Sequence, residues 1–159
     1  MQRTGWVAAT ACSVAMAMGG AQLVGAIGQD NDDHRGGRRC SNATIRGDYG
    51  IQIQGTRAAP GGLTEAVIGV VLRTYDGQGN FSQVSNVKGS ITGTVPDAQG
   101  FGTYEVNPDC TGIIRFQPGP GIFLEERLVI VDNGREIRTA VMLPTAVMIA
   151  GVHQRIHAR

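Results

Sequence analysis

The dipeptide Asn133-Gly134 interrupts a β-prone run that extends over residues 122–143. Asn-Gly between two such runs is the strongest short-range signal for a β-hairpin, because a type I′ turn requires positive φ at both central residues. A two-residue turn also fixes the register, which follows by counting outwards. The predicted opposite pairs are Asp132–Arg135, Val131–Glu136, Ile130–Ile137, Val129–Arg138, Leu128–Thr139, Arg127–Ala140, Glu126–Val141 and Glu125–Met142.

Side chains alternate between the two faces of a strand, so this register predicts one core face and one solvated face. The core face is mostly apolar and carries Leu124, Glu126, Leu128, Ile130, Ile137, Thr139, Val141 and Leu143. The other face has four charges of mixed sign, which is typical of a surface in water, and carries Glu125, Arg127, Val129, Val131, Glu136, Arg138, Ala140 and Met142.

Glu126 is the single charged residue on the predicted core face. A buried carboxylate without a partner is costly, so Glu126 must be ion-paired, protonated or close to an opening. One interpretation makes it a ligand-contacting or catalytic acid inside a cavity. The others place it at a barrel rim, in an ion pair with an arginine such as Arg73 or Arg115, or turned outwards by a bulge. The predicted ligand-binding residues are Glu126, Leu128, Thr139 and Val141, and Glu126 is the candidate catalytic residue.

The first part of the chain has the pattern of a secretory signal peptide. Arg3 supplies a positive charge, residues 6–18 form an apolar run, and the small residues before Ala26 suit a signal peptidase. We expect residues 1–26 to be removed, with cleavage after Ala21 as the alternative. Residues 27–39 are polar and rich in charge and glycine, which predicts a disordered leader. The folded domain is then residues 40–159, in a secreted or periplasmic protein without a membrane span.

Export leaves two cysteines, Cys40 and Cys110, once Cys12 departs with the signal peptide. Two cysteines in an oxidising compartment most simply form one disulfide bond. A catalytic thiol pair is the alternative, but the sequence has no CxxC motif and no base beside either cysteine.

Charge and composition argue against several functions. Loss of Arg3 would leave 13 basic and 13 acidic residues, a balance without the basic excess of a nucleic-acid-binding protein. Aromatic residues make up 5% of the chain, too few for an obvious base-stacking platform. His153 and His157 would share one face of a strand about 13 Å apart, too far to chelate one ion. We therefore predict a polar surface there, and neither a metal site nor a cofactor.

From Cys40 onwards the chain has short β-prone segments separated by Gly- and Pro-containing turns, and no segment with helical periodicity. We count eight or nine strands with hairpin connections, which predicts an all-β, antiparallel barrel, with a β-sandwich as the alternative. A barrel is favoured because its central strands are apolar on both faces and because closure removes edge strands.

Three segments also carry a resemblance: CSNATIRGDYG at residues 40–50, YDGQGNF at residues 75–81 and GTYEVNPDCTG at residues 102–112. They resemble a widespread group of secreted bacterial β-barrel proteins without an assigned function. The resemblance covers most of the mature chain and implies a small barrel, lipocalin-like or allene-oxide-cyclase-like by loose analogy. The pattern includes both remaining cysteines, which supports the disulfide, and it transfers no catalytic residue.

Three functions fit these observations. The first is a non-enzymatic barrel that binds a small apolar molecule, since the inner face is apolar with one polar group. The second is a barrel isomerase or cyclase that uses Glu126 as general acid or base. The third is a structural or interaction protein of the cell envelope, with a filled core and a working outer surface.

Overall fold

Eight antiparallel strands form a closed barrel in which each strand pairs with its neighbours in the chain and β8 closes on β1. The computed structural model describes residues 39–119 and 121–156. The strands are β1 Gly47–Ala59, β2 Leu63–Tyr75, β3 Asn80–Gly89, β4 Gly93–Val106, β5 Thr111–Gly119, β6 Ile122–Val131, β7 Glu136–Leu143 and β8 Met148–Arg155. The predicted barrel is confirmed with eight strands, and the fold is not a β-sandwich.

The predicted signal peptide, residues 1–26, and nearly all of the predicted leader, residues 27–39, lie outside the described residues. Within the described part of the chain, no helix is long and apolar enough to cross a membrane. Three short 3₁₀ segments accompany the strands in residues 39–119 and 121–156: Asn42–Ile45, Pro60–Gly62 and Asp132–Gly134.

The β6–β7 hairpin has the predicted register from Val131–Glu136 outwards to Glu126–Val141. Asn133 and Gly134 have φ values of 54° and 83°, as a type I′ turn requires. The prediction is wrong for the outermost pair, because a bulge between Glu125 and Glu126 sets Glu125 opposite Leu143 instead of Met142. The bulge adds one residue to β7 without turning Glu126 out of the barrel.

One end of the barrel is capped by the segment that precedes β1. Ile45 is fully buried in the core there, and the Cys40–Cys110 disulfide joins this segment to the β4–β5 turn, as predicted. Arg155, at the end of β8, donates hydrogen bonds to three backbone carbonyl oxygens, those of Thr44, Arg46 and Gly134. We call this the capped end. The far end holds the β1–β2, β3–β4, β5–β6 and β7–β8 turns.

The outside of the barrel has two chemically different walls. On the charged wall, formed by β5, β6 and β7, ion pairs join Arg115 and Arg127 to Glu125, and Arg138 to Glu136. The solvated face predicted for the hairpin is therefore confirmed.

The opposite side is an uncharged wall formed by β8, β1, β2 and β3. Its four central stretches, which contain no Lys, Arg, Asp or Glu, are residues 150–154, 50–54, 66–72 and 82–86. Ile68, Val70 and Leu72 project from it and are 61%, 60% and 48% exposed. Two depressions of about 840 and 380 Å³ lie along this wall, lined mainly by outward-facing side chains.

Candidate functional site

Inward-facing side chains fill the capped half of the barrel. Tyr75 lies at the centre of this packing, with its ring 5.4 Å from Tyr49, 5.8 Å from Phe81 and 4.9 Å from Tyr104 between centroids. All four rings are at most 5% exposed. The capped half is therefore a packed core, and any interior site must lie at mid-height or nearer the far end.

Glu126 faces this interior at mid-height, between Ile114 of β5 and Val141 of β7. Across the barrel it meets Arg73 of β2, with Nη1 of the arginine 3.5 Å from Oε2 of the glutamate. The side chain of Glu126 is 10% exposed and that of Arg73 is 3% exposed. Among the explanations that the sequence allowed, the structure thus selects an ion pair with Arg73. Arg115, the other named arginine, lies outside and pairs with Glu125.

Arg73 has several partners besides Glu126. Its Nε donates to Oε1 of Gln83 at 2.8 Å, and its Nη1 donates to the Tyr75 hydroxyl at 3.3 Å. The guanidinium carbon lies 4.3 Å from the Phe81 ring centroid and 5.1 Å from that of Phe116, a cation–π arrangement. Burial acts to lower the pKa of Arg73, but its electrostatic and hydrogen-bonding interactions with Tyr75 and Glu126 raise it above the usual value. Arg73 is therefore a permanent cation inside the barrel.

His153 of β8 extends the polar network to the neighbouring strand. Its Nδ1 lies 3.2 Å from the Tyr75 hydroxyl and its Nε2 lies 3.2 Å from Oγ1 of Thr139. Burial, with a contribution from the charge of Arg73, lowers the pKa of His153 well below its usual value. Burial also raises the pKa of Tyr75 to about 12. Both groups are neutral near pH 7, so Arg73 and Glu126 are the charged members of this network.

The surface position predicted for His153 is wrong. His153 is 1% exposed, because β8 closes the barrel against β1 with His153 opposite the inward residue Ile51. The spacing between His153 and His157 does not indicate which face of β8 points inwards. His157 lies outside the described residues.

Two atoms of the ion pair have unused hydrogen-bonding capacity. Nη2 of Arg73 and Oε1 of Glu126 have no hydrogen-bond partner among residues 39–119 and 121–156. Within the same part of the chain, every fully enclosed side-chain nitrogen or oxygen does have a partner. These two atoms are therefore not fully enclosed, and a molecule of about the size of water can touch them.

On several strands the inner wall becomes more accessible from this level towards the far end, whereas on β2 Val67 and Glu65 stay buried at 1% exposure. Inward-facing positions in the capped half are buried, whereas several in the far half are partly exposed: Ile53, Ser85, Ala98, Val141 and Ile149. Apolar side chains are exposed around the far end itself, at 47% to 72%: Leu63, Ile91, Ile122, Phe123, Leu143 and Met148. We call these six residues the apolar rim.

A second buried carboxylate, that of Glu65, is fully satisfied by its neighbours. It accepts hydrogen bonds from Nε of Arg57 at 2.7 Å, from the backbone N–H groups of Ile91 and Thr92 at 3.0 and 2.9 Å, and from the Thr92 hydroxyl at 2.8 Å. Chiefly the backbone hydrogen bond from Thr92 lowers the pKa of Glu65 to about 2. Glu65 thus has the features of a structural residue that fixes the β3–β4 turn.

The four residues predicted to bind a ligand are brought together on the inner face of β6 and β7. Glu126 is paired with Val141, and Leu128 with Thr139. Leu128 is completely packed, at 1% exposure, while Thr139 contacts His153. Val141 is partly exposed.

Sequence reasoning missed most of the polar network around Glu126. The sequence indicates Arg73 only as one of two arginines that could pair with Glu126, and it does not identify Gln83, Tyr75 or His153 as site residues. The available signal was strand alternation: Tyr75, Arg73 and Val71 share a face, and so do Phe81 and Gln83. Strand alternation alone does not predict that these side chains of β2 and β3 contact Glu126 of β6.

Comparisons of the chain with protein-family models, with curated proteins and with solved structures found no significant match.

Proposed function

We propose that this protein binds one small, largely apolar molecule in the far half of its barrel. The observation that carries the proposal is the accessibility of the inner wall, which is packed at the capped end and partly exposed beyond Glu126 on β1, β3, β4, β7 and β8. A site that is apolar with a few converging polar groups is the usual form of a small-molecule pocket. The apolar rim supports entry of such a molecule from the far end, and the disulfide supports a role in an oxidising compartment.

Binding of the uncharged dye N-phenylnaphthylamine tests this proposal. We expect its fluorescence to rise on addition of the protein and the rise to disappear in Val141→Trp, which places a large ring beside Glu126. Val129→Trp is the matched control, because Val129 lies on the outer face of the same hairpin and is 50% exposed. Absence of dye binding, or equal binding by both variants, would overturn the interior site.

A second candidate function is that of an interaction protein, and the uncharged wall favours it. Exposed apolar patches on small proteins commonly mark interaction sites. We propose a second copy of this chain as the occupant. A two-fold interface brings the same patch of both subunits together, so charges near the axis would repel their own copies. The uncharged wall has none in its central stretches, and its Ile68, Val70 and Leu72 side chains supply apolar surface.

Sedimentation analysis of Val70→Asp and Val129→Asp separates this candidate from the first. The two valines are 60% and 50% exposed, so neither change buries a charge in the monomer. We expect the unsubstituted chain and Val129→Asp to sediment as dimers and Val70→Asp as a monomer. A monomeric unsubstituted chain would contradict self-association without affecting the interior site.

A further inference from the structure

We propose that the interior site selects an uncharged head group that both donates and accepts hydrogen bonds, such as a hydroxyl or a primary carboxamide, on an apolar tail. This inference rests on the proposed binding function and specifies its ligand. It depends on the unused atoms of the Arg73–Glu126 pair, the neutral balance of the surrounding groups and the apolar lining towards the far end.

The unused atoms offer opposite hydrogen-bonding roles. Nη2 of Arg73 can only donate, and Oε1 of the Glu126 carboxylate can only accept. The contact between the two side chains joins Nη1 of Arg73 to Oε2 of Glu126 at 3.5 Å. Nη2 belongs to the same guanidinium group as Nη1, and Oε1 belongs to the same carboxylate as Oε2, so both unused atoms lie near this contact. A ligand group that satisfies both must accept from the guanidinium and donate to the carboxylate. Hydroxyl and carboxamide groups do both, whereas a carboxylate can only accept and an alkylammonium can only donate.

The charges of the site favour a neutral ligand. Arg73 and Glu126 cancel, while His153 and Tyr75 are neutral near pH 7. A ligand anion would face the carboxylate of Glu126, and a ligand cation would face the guanidinium of Arg73. Either would leave a net charge in a space where the surrounding side chains are nearly removed from water, which is unfavourable.

The tail should be apolar because the wall beyond the ion pair is mostly apolar, with Ser85 as its partly exposed polar residue. Leu124 is two residues from Glu126 on the inner face of β6, and Ile53, Val141 and Ile149 are partly exposed inward-facing residues of β1, β7 and β8. Phe123, at the apolar rim, is three residues from Glu126 along β6, roughly 10 Å of extended chain. This distance suits a tail of moderate length, so an octyl chain is a suitable probe.

The test compares four probes that share this chain: octanol, octanamide, octanoate and octylamine. Each competes with N-phenylnaphthylamine for the unsubstituted protein near neutral pH. We expect octanol and octanamide to bind at least about tenfold more tightly than octanoate and octylamine, since like charges placed together are strongly unfavourable.

Glu126→Gln gives a sharper test, because it leaves the Arg73 cation without an opposite charge. In this variant we expect the affinity for octanoate, relative to the affinity for octanol, to rise at least about tenfold. Glu125→Gln is the matched control: Glu125 is the adjacent residue, pairs with Arg115 and Arg127 outside the barrel, and should leave the order of the probes unchanged. If Glu126→Gln fails to fold, the order of probe affinities measured with the unsubstituted chain still tests the head-group inference.

The outcomes distinguish the two levels of the proposal. If no probe displaces the dye and the dye itself does not bind, the interior binding function fails. If the probes bind with equal affinity, or octanoate or octylamine binds most tightly, the head-group inference fails and the binding function stands. An unchanged order in Glu126→Gln would also refute the head-group inference, because it would remove Glu126 from recognition.

Discussion

Replacing Glu126 with leucine should destabilise the protein, although the change puts an apolar residue in an apolar interior. The reason is Arg73, which is 3% exposed and has Glu126 as its charged partner across the barrel. Glu126→Leu leaves that cation buried without an opposite charge. Had Glu126 been buried alone, the same substitution would have been neutral or stabilising, so the sign of the effect tests the ion pair directly.

The size of the effect follows from the geometry. Unit charges 3.5 Å apart attract by roughly 5 kcal/mol at the effective dielectric constant near 20 that suits protein sites. The cost of removing both groups from water offsets most of this in the intact pair, but removal of one partner typically costs about 3–5 kcal/mol. We expect about 3 kcal/mol, because Arg73 keeps its bonds to Gln83 and Tyr75. For a domain of this size that lowers Tm by about 12 °C.

Urea unfolding of Glu126→Leu, Arg73→Met, their double variant and Glu125→Leu measures this effect and the coupling energy of the ion pair. Glu125→Leu is the control, since its partner Arg115 is 44% exposed and such pairs contribute at most about 1 kcal/mol. The double variant Arg73→Met, Glu126→Leu should be more stable than Glu126→Leu alone, with a coupling energy of at least about 2 kcal/mol against the single variants. The reasoning is refuted if Glu126→Leu is as stable as the unsubstituted chain, or if the double variant recovers nothing.

Three further predictions test other parts of the structure. Burial keeps His153 neutral while the unfolded chain takes up a proton near pH 6.5, so stability should fall as the pH drops below about 6.5, and His153→Gln should flatten this slope in urea titrations. Reduction of the Cys40–Cys110 bond, which spans 70 residues, should cost about 4 kcal/mol, and neither thiol should alkylate in denaturant before reduction. Gly134→Ala should destabilise more than Gly61→Ala in thermal unfolding: both have φ near 80°, but an added Cβ meets a backbone oxygen at 2.5 Å only at Gly134; equal losses would show that φ alone matters.

The hairpin illustrates what could be obtained from sequence and where that information stopped. Asn133-Gly134 and strand alternation predicted six consecutive pairs between β6 and β7 and the inward position of Glu126. The error at Glu125 has a local cause, the bulge at the far end of the hairpin. No residue at that position predicts a bulge, because either strand can accommodate an extra residue where the barrel bends.

The polar network could not be assembled from sequence because its members come from distant strands. Arg73 and Glu126 are 53 residues apart, and His153 is 78 residues from Tyr75. Each side chain occupies an inward position that alternation can indicate. Their heights along the barrel, and so their contacts, depend on how far the strands are staggered when the sheet closes.

The sequence by itself thus determined the all-β class, the antiparallel hairpin order, the β6–β7 register and the cysteine pair, because these depend on local turn chemistry, period-two alternation and the small number of cysteines. Tertiary structure alone decided that Glu126 meets Arg73 and not Arg115, that His153 is buried against Tyr75 and Thr139, and that one outer wall is left uncharged. Those outcomes follow from closure of β8 on β1, a pairing between strands nearly 100 residues apart that no local pattern encodes.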